Sequence, residues 1–156
     1  MAMGDGVRRR KVLAVASGGG HWVQLRRIRP AFDELEVVYV GTDDIPDGDL
    51  DGRYYAVRNV TRRNRIAFAL VIWQVLRIIA RERPDVVVTT GAAPGFLALA
   101  GAKLFLRSRT IWIDSISSSE TMTLSARLAR PLADAWLVQW SHLARPEGPE
   151  YWGAVF

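Results

Sequence analysis

VLAVASGGGHWVQLRRI, residues 12–28, changes its periodicity in the middle. Residues 12–16 are apolar without interruption, four small residues at 17–20 break the run, and Trp22, Leu25, Ile28 and Phe32 then recur at helical spacing. This pattern predicts a buried strand, a glycine turn and an amphipathic helix. Outward from it the alternation continues. Residues 36–40 and 54–57 read as strands, separated at 41–52 by a loop rich in Asp and Gly, and residues 65–83 as a long helix stopped by Pro84. A β-branched strand at 85–90 opens into Gly91-Ala92-Ala93-Pro94-Gly95 and a small-residue helix over 96–106. Strands at 110–113 and 135–138 then enclose a polar loop at 117–123 and a short helix over 124–133. Such alternation predicts an α/β protein with a single Rossmann-like, doubly wound, mostly parallel sheet.

The 156 residues, 49% of them hydrophobic, suffice for one domain and not for two, with residues 1–10 as a solvated basic tail. The absence of cysteine excludes disulfides and thiolate metal ligation, and two histidines supply only part of a metal site, so none is expected. Only a short apolar stretch follows the basic N-terminus; no signal peptide is expected, and the cytoplasm is the expected location. A net charge of +5 and a pI near 10.2 imply an anionic partner. Nucleic acid, anionic lipid and phosphorylated substrates all satisfy that charge.

In a doubly wound sheet ligands lie beyond the carboxyl ends of the strands, which selects the loops at 17–21, 91–95, 114–123 and 139–142. Ser17, Gly18, Gly19 and Gly20 place backbone N–H groups at a helix start, suited to phosphate, although the spacing matches neither a dinucleotide fingerprint nor a Walker loop. His21 follows on the polar rim, where an imidazole can hydrogen-bond a phosphate or take a proton from a sugar hydroxyl. Gly91, Ala92, Pro94 and Gly95 repeat this logic at the fourth strand, and close packing of an Ala-rich helix explains them equally well. Asp114 ends a strand as a second candidate base or as a loop organiser, with Ser115 beside it. Gln139 and Trp140 end the last strand on the cleft side, where Trp140 stacks on a sugar, meets a partner or packs in the core.

Between Ile66 and Ala80 only Gln74 and Arg77 are polar, but this stretch is shorter than the ~20 residues a membrane span requires. On a helical wheel Phe68, Ile72, Val75, Leu76 and Ile79 form a core face. Ile66, Leu70 and Trp73 align with Arg77 on the other side, preceded by Arg62, Arg63 and Arg65 and followed by Arg81 and Arg83. An apolar patch ringed by cations suits an anionic membrane surface; a partner protein is the other occupant such a face admits.

Ser17-Gly18-Gly19-Gly20-His21, Pro84-Asp85, Thr90-Gly91-Ala92-Ala93-Pro94-Gly95, Asp114-Ser115, Leu124-Ser125, Ala133-Asp134, Val138-Gln139-Trp140 and Tyr151-Trp152-Gly153 form an ordered series. It resembles the oligosaccharide-biosynthesis family of PssD-type bacterial exopolysaccharide proteins and the membrane-anchor, acceptor-side subunit of the two-chain UDP-N-acetylglucosamine transferase. More distantly it is similar to the N-terminal domain of MurG. The resemblance implies half of a GT-B glycosyltransferase, inactive alone, that transfers a sugar from a UDP-sugar to a polyprenyl-diphosphate-linked acceptor in polysaccharide biosynthesis. A separate small subunit would hold most of the UDP-sugar, so this chain would need no cofactor of its own. The glycine turn and His21 would lie near the acceptor's diphosphate.

Two departures stand out. The family's Glu-Ser with a following Arg is here Asp114-Ser115 followed by Ile116 and serines, and no counterpart of the transmembrane helix of the eukaryotic relatives is expected. Membrane contact would then fall to residues 66–80, placing the chain peripherally on the inner face of the plasma membrane. Tyr151 and Trp152, in an apolar tail, are expected to meet the partner subunit. The alternative is a basic nucleotide- or nucleic-acid-binding α/β module. Against it, the arginines surround an apolar helix and no aromatic-interleaved basic motif occurs, so no nucleic acid is expected. A self-sufficient small enzyme is a third class, opposed by the few titratable groups at strand ends.

Overall fold

β-Branched and aromatic residues together fill most strand positions because their side chains pack well on a pleated surface. The structure is a computed structural model and describes residues 8–42, 50–59 and 64–155; Arg62, Arg63 and residues 1–7 of the basic tail lie outside the described residues. In chain order the elements are β1 (Lys11–Val15), α1 (Gly20–Arg27), β2 (Glu36–Thr42), β3 (Arg53–Val57), α2 (Arg65–Glu82), β4 (Val86–Thr89), α3 (Ala92–Leu106), β5 (Arg109–Ile113), α4 (Leu124–Ala129) and β6 (Ala135–Leu137). All described pairings are parallel, in the order β3-β2-β1-β4-β5-β6. This is the doubly wound arrangement, with strand order reversing between β1 and β4.

Alternate residues of each strand feed two cores. Leu13, Val15, Val38 and Val87 pack under α2, α3 and α4, whereas Val12, Ala14, Tyr39 and Ile113 pack with Trp22 and Leu25 of α1. Gly101 lets α2 and α3 approach closely; a Cβ there would stand 2.8 Å from Leu76 Cδ2.

Three helices differ from the sequence expectation. The first ends at Arg27 and the fourth at Ala129, each continuing as a 3₁₀ turn (Arg29–Phe32 and Arg130–Leu132) that contains Pro30 or Pro131. Proline has no N–H for an α-helical bond. α3 starts at Ala92 and not 96, because Pro94 in a first turn removes no hydrogen bond.

The buried stripe of α2 is Val71, Val75, Ile78, Ile79 and Glu82. The expected core face of Phe68, Ile72, Val75, Leu76 and Ile79 is thus rotated: Phe68 and Ile72 are half-buried and line an open groove with Arg65 and Ala69. Glu82 sets this rotation. It is 3% exposed and accepts hydrogen bonds from Lys11 Nζ (3.1 Å) in β1 and from Arg53 Nη1 (2.7 Å) and Tyr55 Oη in β3. Asn64 caps the other end, its Oδ1 accepting from Ala67 N at 3.0 Å.

Burial pushes the Glu82 carboxyl upward, but the hydrogen bonds from Tyr55, Lys11 and Arg53 outweigh it and hold the group below the usual carboxylate range. A lowered folded-state pKa contributes stability above the unfolded-chain value, which is lost as pH falls through the folded one. Glu82→Gln removes the buried carboxylate charge that Lys11 and Arg53 share and should lower stability in urea unfolding at neutral pH by about 1–3 kcal/mol. The variant should also lose part of the wild type's acid sensitivity below the ordinary carboxylate range; equal slopes would contradict this.

Candidate functional site

From the switch point, β1 leads through α1 toward β2, and β4 leads through α3 toward β5. The loops at 17–21 and 90–95 therefore face one another across a crevice.

Gly19 takes φ +67°, a left-handed value that disfavours side chains, and α1 begins at the next residue. Gly18 N–H donates to Thr42 Oγ1 at 3.0 Å, tying the turn to β2. Gly19 and Gly20 are exposed, with nothing within 4 Å of an added Cβ. First-turn N–H groups have no carbonyl partner within their own helix, and neither α1 nor α3 has an acidic residue in its first turn. The crevice therefore carries the positive ends of two helices.

His21 bridges the two loops. Its Nδ1 lies 2.8 Å from Thr90 O, and Thr90 Oγ1 donates to His21 O at 2.7 Å. The imidazole occupies the place of a side chain at Gly91, where a Cβ would stand 2.9 Å from His21 Cε1 at φ +123°. Gly91 N–H is engaged by Thr89 Oγ1 at 3.1 Å. Pro94 and Gly95 are buried, and a Cβ at Gly95 would collide with Thr89, so this glycine seats α3 on β4. Ala92, half-buried, adopts φ +66° at the helix start.

Asp114 is 2% exposed, and both its oxygens accept from Thr123: Oδ1 from Oγ1 at 2.9 Å and Oδ2 from N–H at 3.2 Å. Thr123 in turn caps α4, its Oγ1 accepting from Ala126 N. Ser115 is buried, with its Oγ 2.8 Å from Ser117 Oγ. Gln24, one turn after His21, reaches this loop: Nε2 donates to Asp114 O at 2.9 Å and Oε1 accepts from Ile116 N at 3.2 Å. α1 thus registers the loops after β4 and β5 together. Sequence reading does not single out Gln24 or Thr123 and takes Thr90 only as the first residue of the Thr90–Gly95 run, with no role of its own; the one signal for Gln24 is a lone amide in α1.

Trp140, half-buried, donates Nε1–H to Ile116 O at 2.8 Å, fixing the same loop from β6. Gln139 is buried and accepts Val155 N–H at 2.9 Å, holding the C-terminal segment, while Arg27 Nη1 donates to Val155 O. Tyr151 and Trp152 stand exposed on that segment. On the opposite face of the sheet from α1, Ile66, Leu70 and Trp73 are 80%, 45% and 57% exposed, with the Arg77 guanidinium 5.1 Å from the Trp73 ring centre. No helix among the described residues is long and apolar enough to cross a membrane.

Gln24→Ala would leave Asp114 O and Ile116 N without these partners in a dry setting. It should lower unfolding stability by about 1–3 kcal/mol and speed amide exchange in residues 115–119. Unchanged exchange there would show that the loop holds its shape without the amide.

A family model described as oligosaccharide biosynthesis protein Alg14 like matches residues 53–155. Two proteins named UDP-N-acetylglucosamine transferase subunit ALG14 are similar in sequence. That of Eremothecium gossypii is 33% identical over 95 residues, covering 58% of this chain and 42% of its own. That of Yarrowia lipolytica is 21% identical over 140 residues, covering 86% and 62%. The chain thus spans about half the length of these relatives. Among solved structures, Acinetobacter baumannii MurG superposes with a TM-score of 0.65 at 14% identity, over 93% of this chain and 44% of MurG. Rickettsia bellii UDP-N-acetylglucosamine 2-epimerase superposes at 0.60 and 16% identity, over 86% and 40%. At such identities the likeness is one of fold, a Rossmann-like layer also found in a GT-B enzyme. The family match covers most of the chain from β3 onward, and the chain belongs to the Alg14-like family of oligosaccharide-biosynthesis proteins.

Proposed function

We propose that this chain is the acceptor-side half of a two-chain glycosyltransferase that moves a sugar from a UDP-sugar to a polyprenyl-diphosphate-linked acceptor in polysaccharide biosynthesis. The observation that carries this reading is the convergence at the β1/β4 crevice of His21 with two helix N-termini. A diphosphate suits the first-turn N–H groups after Gly19 and Gly20, with Ser17 and the loop of Ser115 at its borders. His21 takes the proton from the attacking acceptor hydroxyl as the new glycosidic bond forms, with inversion at the sugar carbon. Asp114 holds the flanking loop through Thr123. The relatives are named as transferase subunits, which supports a separate chain that holds the UDP-sugar. That partner docks beside Tyr151, Trp152 and the segment anchored by Gln139, close to Trp140.

The α2 face supports a peripheral position on the inner face of the plasma membrane. Ile66, Leu70 and Trp73 enter the lipid boundary, Arg65 and Arg77 meet anionic headgroups, and the adjoining Phe68–Ile72 groove widens the apolar contact.

Two experiments test these readings. Co-expression with a small UDP-sugar-binding transferase chain should yield a co-purifying pair that transfers radiolabelled sugar to lipid in a membrane fraction, whereas this chain alone should not. Turnover by the lone chain at an ordinary enzymatic rate would overturn the two-chain reading. In flotation, the chain should rise with vesicles containing anionic lipid and not with neutral ones, and Leu70→Glu with Trp73→Glu should abolish this. Equal flotation with both vesicle types would exclude the lipid contact.

A further inference from the structure

The chain has two histidines, and they face backbone carbonyls through different ring nitrogens. His21 presents Nδ1 to Thr90 O at 2.8 Å; His142 presents Nε2 to Ser119 O at 2.6 Å. A carbonyl oxygen only accepts, so the nitrogen facing it carries the hydrogen. In their neutral forms the two rings are therefore opposite tautomers. His21 has its lone pair on Nε2, and His142 has its lone pair on Nδ1.

This separates two roles that an imidazole at this position could play. A neutral ring with a bare Nε2 has no hydrogen there to offer a phosphate oxygen. It can accept the hydrogen of a hydroxyl, and becomes a donor only after doing so. The pose of His21 is that of a proton acceptor, and its pose is held from one residue. Thr90 is fully buried, supplies the carbonyl that fixes Nδ1–H, and donates its own hydroxyl to His21 O at 2.7 Å. Its N–H reaches Val15 O at the end of β1. The next residue, Gly91, leaves the imidazole its space, since a Cβ there would lie 2.9 Å from Cε1 and 3.0 Å from Nδ1.

We infer that Thr90 is a positioning residue: through its carbonyl and hydroxyl it holds His21 as the Nδ1–H tautomer with Nε2 open to the acceptor hydroxyl. This rests on the reading of His21 as the proton acceptor. The hydroxyl is the part a substitution can remove alone. Thr90→Val keeps the branched shape and frees the first turn of α1 from β4, whereas Thr90→Ser keeps the hydroxyl.

The test is a long-range proton–nitrogen correlation spectrum of histidine-labelled protein at a pH where both rings are neutral. Wild type should show His21 with the Nδ1–H pattern and His142 with the Nε2–H pattern. Thr90→Val should turn the His21 signals into a mixture of tautomers while those of His142 stay fixed as an internal reference, and Thr90→Ser should restore the wild-type pattern. In the reconstituted pair, Thr90→Val should lower kcat by about tenfold, a part of the roughly 10²–10⁴-fold that a general base contributes, with the acceptor KM unchanged and Thr90→Ser near wild type. An Nε2–H pattern for wild-type His21 overturns the inference, and that measurement stands even if Thr90→Val does not fold. A His21 pattern indifferent to Thr90→Val overturns it as well. If the tautomers behave as stated but His21→Gln transfers sugar at the wild-type rate, the proton-acceptor reading itself fails, and with it the catalytic meaning of Thr90.

Discussion

A carboxylate shut away from water and hydrogen-bonded at once by Lys11, Arg53 and Tyr55 leaves α2 no freedom to roll on the sheet. Any other rotation would pull the buried Glu82 carboxylate from the donors that satisfy it, and a buried charge left without partners is costly. Val71, Val75, Ile78 and Ile79, which share its side of the helix, are carried inward with it. Ile66, Leu70 and Trp73 are carried outward for the same reason. The exposure of that apolar face thus follows from one buried charge at the far end of the helix, which keeps the face outward at some hydrophobic expense.

At the other pole of the sheet the organisation is polar and made of small tethers. Thr42 takes Gly18, Thr90 takes His21, Thr123 takes Asp114, and Gln24 takes the backbone on both sides of Ser115. The Thr123–Asp114 tether closes the β5–α4 loop on itself, and the others cross from one βα unit to another. The crevice is consequently not a set of independent loops: α1 fits against the turn after β4 and the turn after β5 simultaneously. The electropositive helix ends are left facing outward, and the side chains that could compete for them are occupied in holding the frame.

The doubly wound sheet and the loops that matter were legible in the sequence because strands and helices announce themselves by period, and glycines and prolines mark where the period changes. The 17–21 and 91–95 segments were selected among four candidate loops, their pairing awaiting the strand order, and the outward face of α2 was correct in Ile66, Leu70 and Trp73. The inward face was right in Val75 and Ile79 but not in Phe68 and Ile72, since a helix apolar around most of its circumference has no pattern that selects a rotation, and Glu82 lies beyond the apolar stretch. The start of α3 was hidden because Ala92-Ala93-Pro94-Gly95 reads as a loop, although proline is well suited to a first turn. Gln24 and Thr90 were hidden for a different reason: an amide or hydroxyl satisfied by distant backbone leaves no local trace. Gly95 shows the ambiguity directly, for its lack of a side chain serves Thr89 and helix packing, whereas that of Gly91 serves His21.

The segment after β6 turns back on the sheet. Glu150 lies alongside Leu137 in parallel, with Val138 N–H donating to Glu150 O and Glu150 N–H to Trp136 O, both at 2.9 Å. An open sheet ordinarily leaves its last strand with unpaired amides that invite any extended peptide. Here the chain supplies its own short selvedge. An extended peptide approaching this border finds backbone already taken, and what projects from it into solvent is Tyr151 and Trp152.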